Sequence, residues 1–200
     1  MMILRSSPTS PFGRKVKLAA AILGLTNKIE IVQADTLDPN DSLRQQNPLG
    51  KIPILIPETA EPIFDSRVIL EYLDGVAGGD KIIPVEPEAR FESLTMAALA
   101  DGILDAAILQ VYESRYRPPE KHEPTWLAYQ MEKVTRALAK IATAPPAGKR
   151  DVAHIGLACA LGYLDFRFKG TWRTDYPGLV GWLDGFAADV PAFETTRPPA

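Results

Sequence analysis

Ser7-Pro8-Thr9-Ser10-Pro11-Phe12-Gly13-Arg14-Lys15-Val16 is the stretch on which the fold turns. It follows a short apolar run, Met2-Ile3-Leu4, and it opens a segment with Phe12, Val16, Ala19/Ala20 and Leu23 at steps of three and four. That period marks the buried face of a helix. Ser10 is a favoured N-cap and Pro11 suits the first helical position. The stretch therefore reads as strand, turn, helix. A helix N-terminus carries unpaired N–H groups and roughly half a positive charge, so an anion there is stabilised. A hydroxyl at that place, such as Ser10, can serve an anionic sulfur, or it can simply cap the helix.

Working outward, the helix ends near Gly24-Leu25-Thr26-Asn27, and Ile29-Glu30-Ile31-Val32 alternates like a strand. A strand–helix–strand order with a helical crossover implies a parallel pair. Asp35 to Gln46 is polar, with one short irregular helix at Ser42 to Gln46. Asn47-Pro48-Leu49-Gly50-Lys51-Ile52-Pro53 then leads into Ile54-Leu55-Ile56, a buried-type strand with Pro53 at its head. Ile63-Phe64 reads as one more short strand. Asp65-Ser66 caps a helix carrying Val68, Ile69, Tyr72 and Leu73. The order is β-α-β-α-β-β-α. Residues 77–88, rich in Gly and Pro, read as a linker between a domain at 1–76 and another at 89–200.

The second part reads as helical throughout. Leu94, Ala97, Leu104, Ile108 and Val111 form one stripe of the first helix, with Asp101 in its gap. Met96, Leu99, Ile103 and Ala106 form another. A second helix carries Leu127, Met131, Val134, Leu138 and Ile141. Asp151 caps a third that is apolar on more than one face and is therefore central. Pro177 opens a last helix, and the tail from Thr195 to Ala200 reads as loose.

The totals narrow the function. The chain has 200 residues, a net charge of −3 and 24% charged residues. No basic patch suggests a nucleic-acid partner. No signal-peptide pattern opens the chain, and no uninterrupted apolar run approaches a membrane span. The lone cysteine, Cys159, rules out an internal disulfide, lies on an apolar stripe, and fits a cytoplasmic location. His122, His154 and Cys159 lack any zinc spacing, so no metal is expected. Walker, dinucleotide and G-x-S-x-G patterns are absent.

Three stretches then fall together: Ser10-Pro11-Phe12 opening the first helix, Asn47 to Pro53 opening a strand, and Phe64-Asp65-Ser66-Arg67 opening the third helix. Together they resemble the glutathione S-transferase family, over nearly the whole chain. The resemblance implies a thioredoxin-like N-terminal domain, an all-helical C-terminal domain and a homodimer. It implies glutathione as co-substrate, with no nucleic acid, membrane or metal partner. Ser10 matches the family's Ser or Cys at the sulfur. Ile52 matches the residue whose main chain pairs with the cysteinyl part, as an added strand would. Pro53 matches a cis-proline beside it. Asp65 and Ser66 match the pair taking the γ-glutamyl end. Lys51 is placed to meet a glutathione carboxylate. Asp101 matches an acid that in some subfamilies reaches across the dimer to the γ-glutamyl amine; the alternative is that it faces the cleft or pairs with an arginine of its own chain.

The chain departs from the family's pattern at two places. Ser at the first helix cannot form a mixed disulfide, which argues against thiol-transfer and reductase reactions. Asp151-Val152-Ala153-His154 stands where the family often has a Ser/Thr-x-x-Asp capping box, so the reciprocal half of that box is in question. The expected activity is conjugation: glutathione thiolate, stabilised by Ser10 with Ser7 and Thr9 as neighbouring substitutes, attacks a small apolar electrophile. The second substrate would lie near Phe12, Asp105, Leu109 and Tyr112. The competing reading is a non-catalytic glutathione-binding or regulatory module that acts through a protein partner.

Overall fold

The computed structural model describes residues 1–199. Strand β1 (Met2–Ser6) lies in the middle of a three-stranded sheet of order β2-β1-β3. Helix α1 (Pro11–Ile22) crosses over to β2 (Ile29–Gln33), which pairs parallel with β1, as the helical crossover requires. β3 (Ile54–Ile56) pairs antiparallel on the other side. A four-residue helix, α2 (Leu43–Gln46), sits in the polar stretch before it. The strand expected at Ile63-Phe64 is reduced to one bridge, Leu55 to Ile63, because Pro62 before it and the helix at Ser66 after it leave no room for a ladder. Helix α3 (Ser66–Val76) then packs on α1.

The 30-residue helix α4 (Pro87–Tyr116) starts just before the expected Ala89, with Glu86 accepting from the N–H groups of Glu88 and Ala89. It packs against α5 (Pro124–Thr143) and α6 (Val152–Phe168), and α6 also packs on α1. Every residue of α6 from Val152 to Leu164 is buried, which makes it the central helix the sequence implies. Helix α4 holds a window with mean hydropathy of 1.5, long enough to cross a membrane by composition. Here it is a helix of the bundle, and it carries the buried carboxylate of Asp101. The chain closes with α7 (Trp172–Asp175), α8 (Pro177–Asp189) and α9 (Ala192–Thr195).

Two expectations change. The tail is tied down at its start. Buried Arg14 donates to Phe193 O at 2.5 Å and to Thr196 Oγ1 at 3.3 Å, and its guanidinium lies 4.0 Å from the Phe193 ring centroid. Ala200 lies outside the described residues. At α6 the histidine joins the cap as a donor to the Asp151 carboxylate rather than as the acceptor an acid would be. Asp151 Oδ1 accepts from the N–H groups of Ala153 and His154, while His154 Nδ1 lies 2.6 Å from that same oxygen and 3.4 Å from the Asp151 N–H. One nitrogen cannot donate and accept at once. The shorter contact makes Nδ1 a donor to the carboxylate. Ser93 Oγ donates to the other oxygen at 2.7 Å.

Candidate active site

The turn between β1 and α1 is set by close packing. Gly13 sits so near Ser6 that an added Cβ would collide with the Ser6 hydroxyl, so only glycine lets α1 approach the end of β1. Ser10 has extended backbone geometry, and its Oγ accepts from the Gly13 N–H at 3.1 Å. A hydroxyl that accepts in this way keeps its own proton to donate. The cap therefore fixes the oxygen and leaves the O–H free.

The second wall comes from Asn47 to Pro53. Gly50 has φ of +62°, a value that favours glycine. Asn47 ties the loop by accepting from the Leu49 N–H at 3.0 Å and donating to the Lys51 carbonyl at 2.9 Å. The Ile52–Pro53 bond is cis. Among the described residues, neither the N–H nor the C=O of Ile52 has a hydrogen-bond partner. Its main chain is thus open for an extended peptide to add alongside.

The third part is buried charge. Lys15 on α1 and Asp101 on α4 are 2% and 1% exposed, and Nζ meets Oδ1 at 2.6 Å. Arg67 Nε meets the other oxygen, Oδ2, at 3.0 Å, and Lys15 also reaches Ser66 Oγ at 3.3 Å. Helices α1, α3 and α4 are therefore clamped at one point. Asp65 caps α3, its Oδ1 accepting from the Arg67 N–H at 3.0 Å.

Between these walls lies a cavity of about 600 Å³. Ser7, Thr9, Ser10, Phe12, Lys51 and Ile52 line one side. Asp105, Leu109, Tyr112, Arg115 and Tyr116 of α4, with Tyr163 of α6, line the other. Asp105 opens onto this space, yet burial raises its pKa and the charge of Asp101 raises it further; Arg67 and Lys51 oppose both. Cys159 lies apart, fully buried, and burial pushes its thiol up to about 12. It is a neutral core group.

Family profiles described as glutathione S-transferase N-terminal and C-terminal domains match residues 9–76 and 124–185. An uncharacterised glutathione S-transferase-like protein of Escherichia coli, YibF, is 34% identical, the match covering 99% of each chain. The chain belongs to the glutathione S-transferase family. A crystal structure of a Pseudomonas fluorescens glutathione transferase family member with bound glutathione superposes with a TM-score of 0.93, at 42% identity and full coverage of both chains. Another crystal structure from the same organism, with bound S-(propanoic acid)-glutathione, gives 0.89 at 41% identity, again covering both chains in full.

Within this transferase-family chain, the cavity brings together Ser10, Phe12, Lys51, Ile52, Asp105, Leu109 and Tyr112. Asp65 and Ser66 are not in its wall. Asp65 is exposed at the head of α3, and the Ser66 hydroxyl is turned inward toward Lys15. Asp101 takes the arrangement of the alternative reading. Both of its oxygens meet cations of its own chain, Lys15 and Arg67, and it is 1% exposed. Sequence reasoning gave no role to Lys15, Arg67, Thr36, Arg115 or Tyr163. The signal for Lys15 was present: it falls three residues after Phe12 and four before Ala19, on the apolar stripe itself. A lysine there requires a buried acid, and Asp101 stood equally unexplained on its own stripe.

Proposed function

We propose that the protein is a cytoplasmic glutathione transferase that binds glutathione as co-substrate and conjugates it to a small electrophile. The observation that carries this reading is Ser10. Its oxygen is held by the Gly13 N–H, its proton is free, and it lines the same cavity as the open main chain of Ile52. Glutathione adds alongside Ile52 beside Pro53. Its γ-glutamyl end lies toward Asp65 and Ser66 at the head of α3, where the helix terminus suits a carboxylate. Lys51 and Arg67 add positive charge. The thiol then faces Ser10.

A free thiol near pKa 8.5 is only a few per cent thiolate at neutral pH. Lowering that value by about two units takes roughly 2.7 kcal/mol of preference for the anion. A hydrogen bond to an ionised sulfur plus the N-terminus of α1 is of that size. The thiolate attacks an electrophilic carbon of a substrate held by Phe12, Leu109 and Tyr112. The bound S-(propanoic acid)-glutathione of the Pseudomonas relative supports a cleft with room for a conjugate. The active form is a homodimer; the exposed apolar side chains of Val68 on α3 and Phe91 on α4 support an interface there.

The test is calorimetric titration with glutathione, followed by turnover assays with an activated aryl halide and an enone. Binding with turnover above the buffer rate is expected. Binding without turnover of either class would favour the regulatory module, and no binding would sink both readings.

A further inference from the structure

Charge is not spread evenly along the cleft. Helix α4 forms one wall, and it rises about 1.5 Å per residue. Asp105 lies toward one end of that wall, within reach of the charges of Asp101, Asp65, Arg67 and Lys51. Arg115 lies ten residues beyond Asp105, about 15 Å along the axis. At that separation two exposed charges are largely screened. Arg115 therefore stands as a separate positive charge at the far end.

Arg115 also lacks a protein partner. Among the described residues it forms no ion pair and no side-chain hydrogen bond, whereas its neighbour Arg117 is taken up by Glu113. Instead its guanidinium lies 5.3 Å from the Tyr112 ring centroid. Tyr112 and Tyr116 meet edge to face at 5.4 Å, and both are well exposed to the cavity. Tyr163 completes this end of the cavity. Its burial raises the phenol's pKa, so it remains a proton donor at neutral pH, and Arg167 lies close enough to act on it. Arg167 Nε is itself buried and without a partner. Two aromatic faces, one unpaired guanidinium and one phenol make a subsite for a flat group ending in an anion.

We propose that the second substrate is an aromatic electrophile bearing a carboxylate, with its ring against Tyr112 and Tyr116 and its carboxylate on Arg115 and the Tyr163 hydroxyl. This rests on the transferase reading above. For an aryl halide the step balances simply. The glutathione sulfur forms a bond to the ring carbon, the carbon–halogen bond breaks, halide leaves with the electron pair, and the thiol proton passes to solvent. Arg115 takes no part in the bond change. It selects and orients.

The matched probes are 4-chloro-3-nitrobenzoate and its methyl ester, each rate divided by its uncatalysed rate with glutathione. The corresponding glutathione conjugates are titrated by calorimetry alongside. The wild type should favour the carboxylate in both measurements by about tenfold, the scale of one charge-assisted contact. Arg115→Gln should abolish the preference, Arg115→Lys should restore part of it, and added salt should erode it. Equal handling of acid and ester by the wild type, or a preference that survives Arg115→Gln, overturns the proposal. So does an Arg115→Gln variant that loses affinity for glutathione itself by the same factor, since the arginine then serves glutathione. Conjugates that show the Arg115-dependent preference without turnover of either arene would leave the subsite standing and remove the transferase reading.

Discussion

One turn of α4 beyond the cleft lining at Asp105, the trio Lys15, Asp101 and Arg67 locks three helices through a carboxylate that is 1% exposed, and none of the three lines the cavity. At the other end, Tyr112, Arg115 and Tyr116 stand in solvent, with no ion pair among them. The first end belongs to the frame rather than to the cavity wall. Lys15 and Asp101 are buried and paired, and Arg67 is held from the surface by the same carboxylate, so all three are placed before anything binds. The second end suits a ligand that can change, because substitutions there cost the fold little. The fold depends on the first end and not on the second, which lines the cavity.

The sharpest way to break this contrast is Asp101→Ala. It leaves the Lys15 ammonium buried without an ionic partner, and such losses cost about 3–5 kcal/mol. Urea denaturation should show a cost of that size; a cost below about 1 kcal/mol would mean that the clamp carries little. Gly13→Ala comes next, because its new methyl collides with the Ser6 hydroxyl, and overpacking of this kind costs about 1–3 kcal/mol. It should also shift Ser10, so turnover should fall together with the midpoint of unfolding. Asp105→Asn goes the other way. A carboxyl whose folded pKa is raised contributes stability below its unfolded value, and that contribution is lost as pH rises through the folded one. Removing the charge should therefore add roughly a few tenths of a kcal/mol at neutral pH, with the gain vanishing below about pH 4. A gain that persisted in acid would show that another cause was at work. Tyr116→Ala, at the open end, should leave stability within about 0.5 kcal/mol of wild type. A larger loss would show that this end, too, belongs to the frame.

The sequence carried more of the fixed end than of the variable one. Ser10, Pro53 and Asp65 announced themselves through local rules: a cap, a strand head, another cap. Such rules need only near neighbours in the chain. The partners of Asp101 did not follow from them, because Lys15 and Arg67 come from two other helices and their meeting is a property of the packed fold. The histidine at the head of α6 reads as structural from the sequence, and its contact was not foreseen for a different reason. Its ring reaches the capping carboxylate, a role that a rule written for acids does not cover. The short helices α7 and α9 lack the length that makes a period visible. Arg115 is the hardest case, since an exposed arginine on a helix is ordinary until the structure shows which cavity it lines and that, among the described residues, no acid pairs with it.

The central claim is that Ser10, fixed by its own cap, stabilises the thiolate of bound glutathione. The most direct measurement follows the ultraviolet thiolate band of bound glutathione against pH for the wild type and for Ser10→Ala. Removing the cap alone should cost about 0.5–2 kcal/mol of stability, so folding is checked by circular dichroism at the same time. The account predicts that the bound thiol ionises well below its free value in the wild type, and that its pKa rises by about one unit or more in the folded variant. Bound thiols that titrate alike in the two proteins would contradict it. Ser10 would then be only the cap of α1, and Thr9, Ser7 or the helix terminus would hold the sulfur.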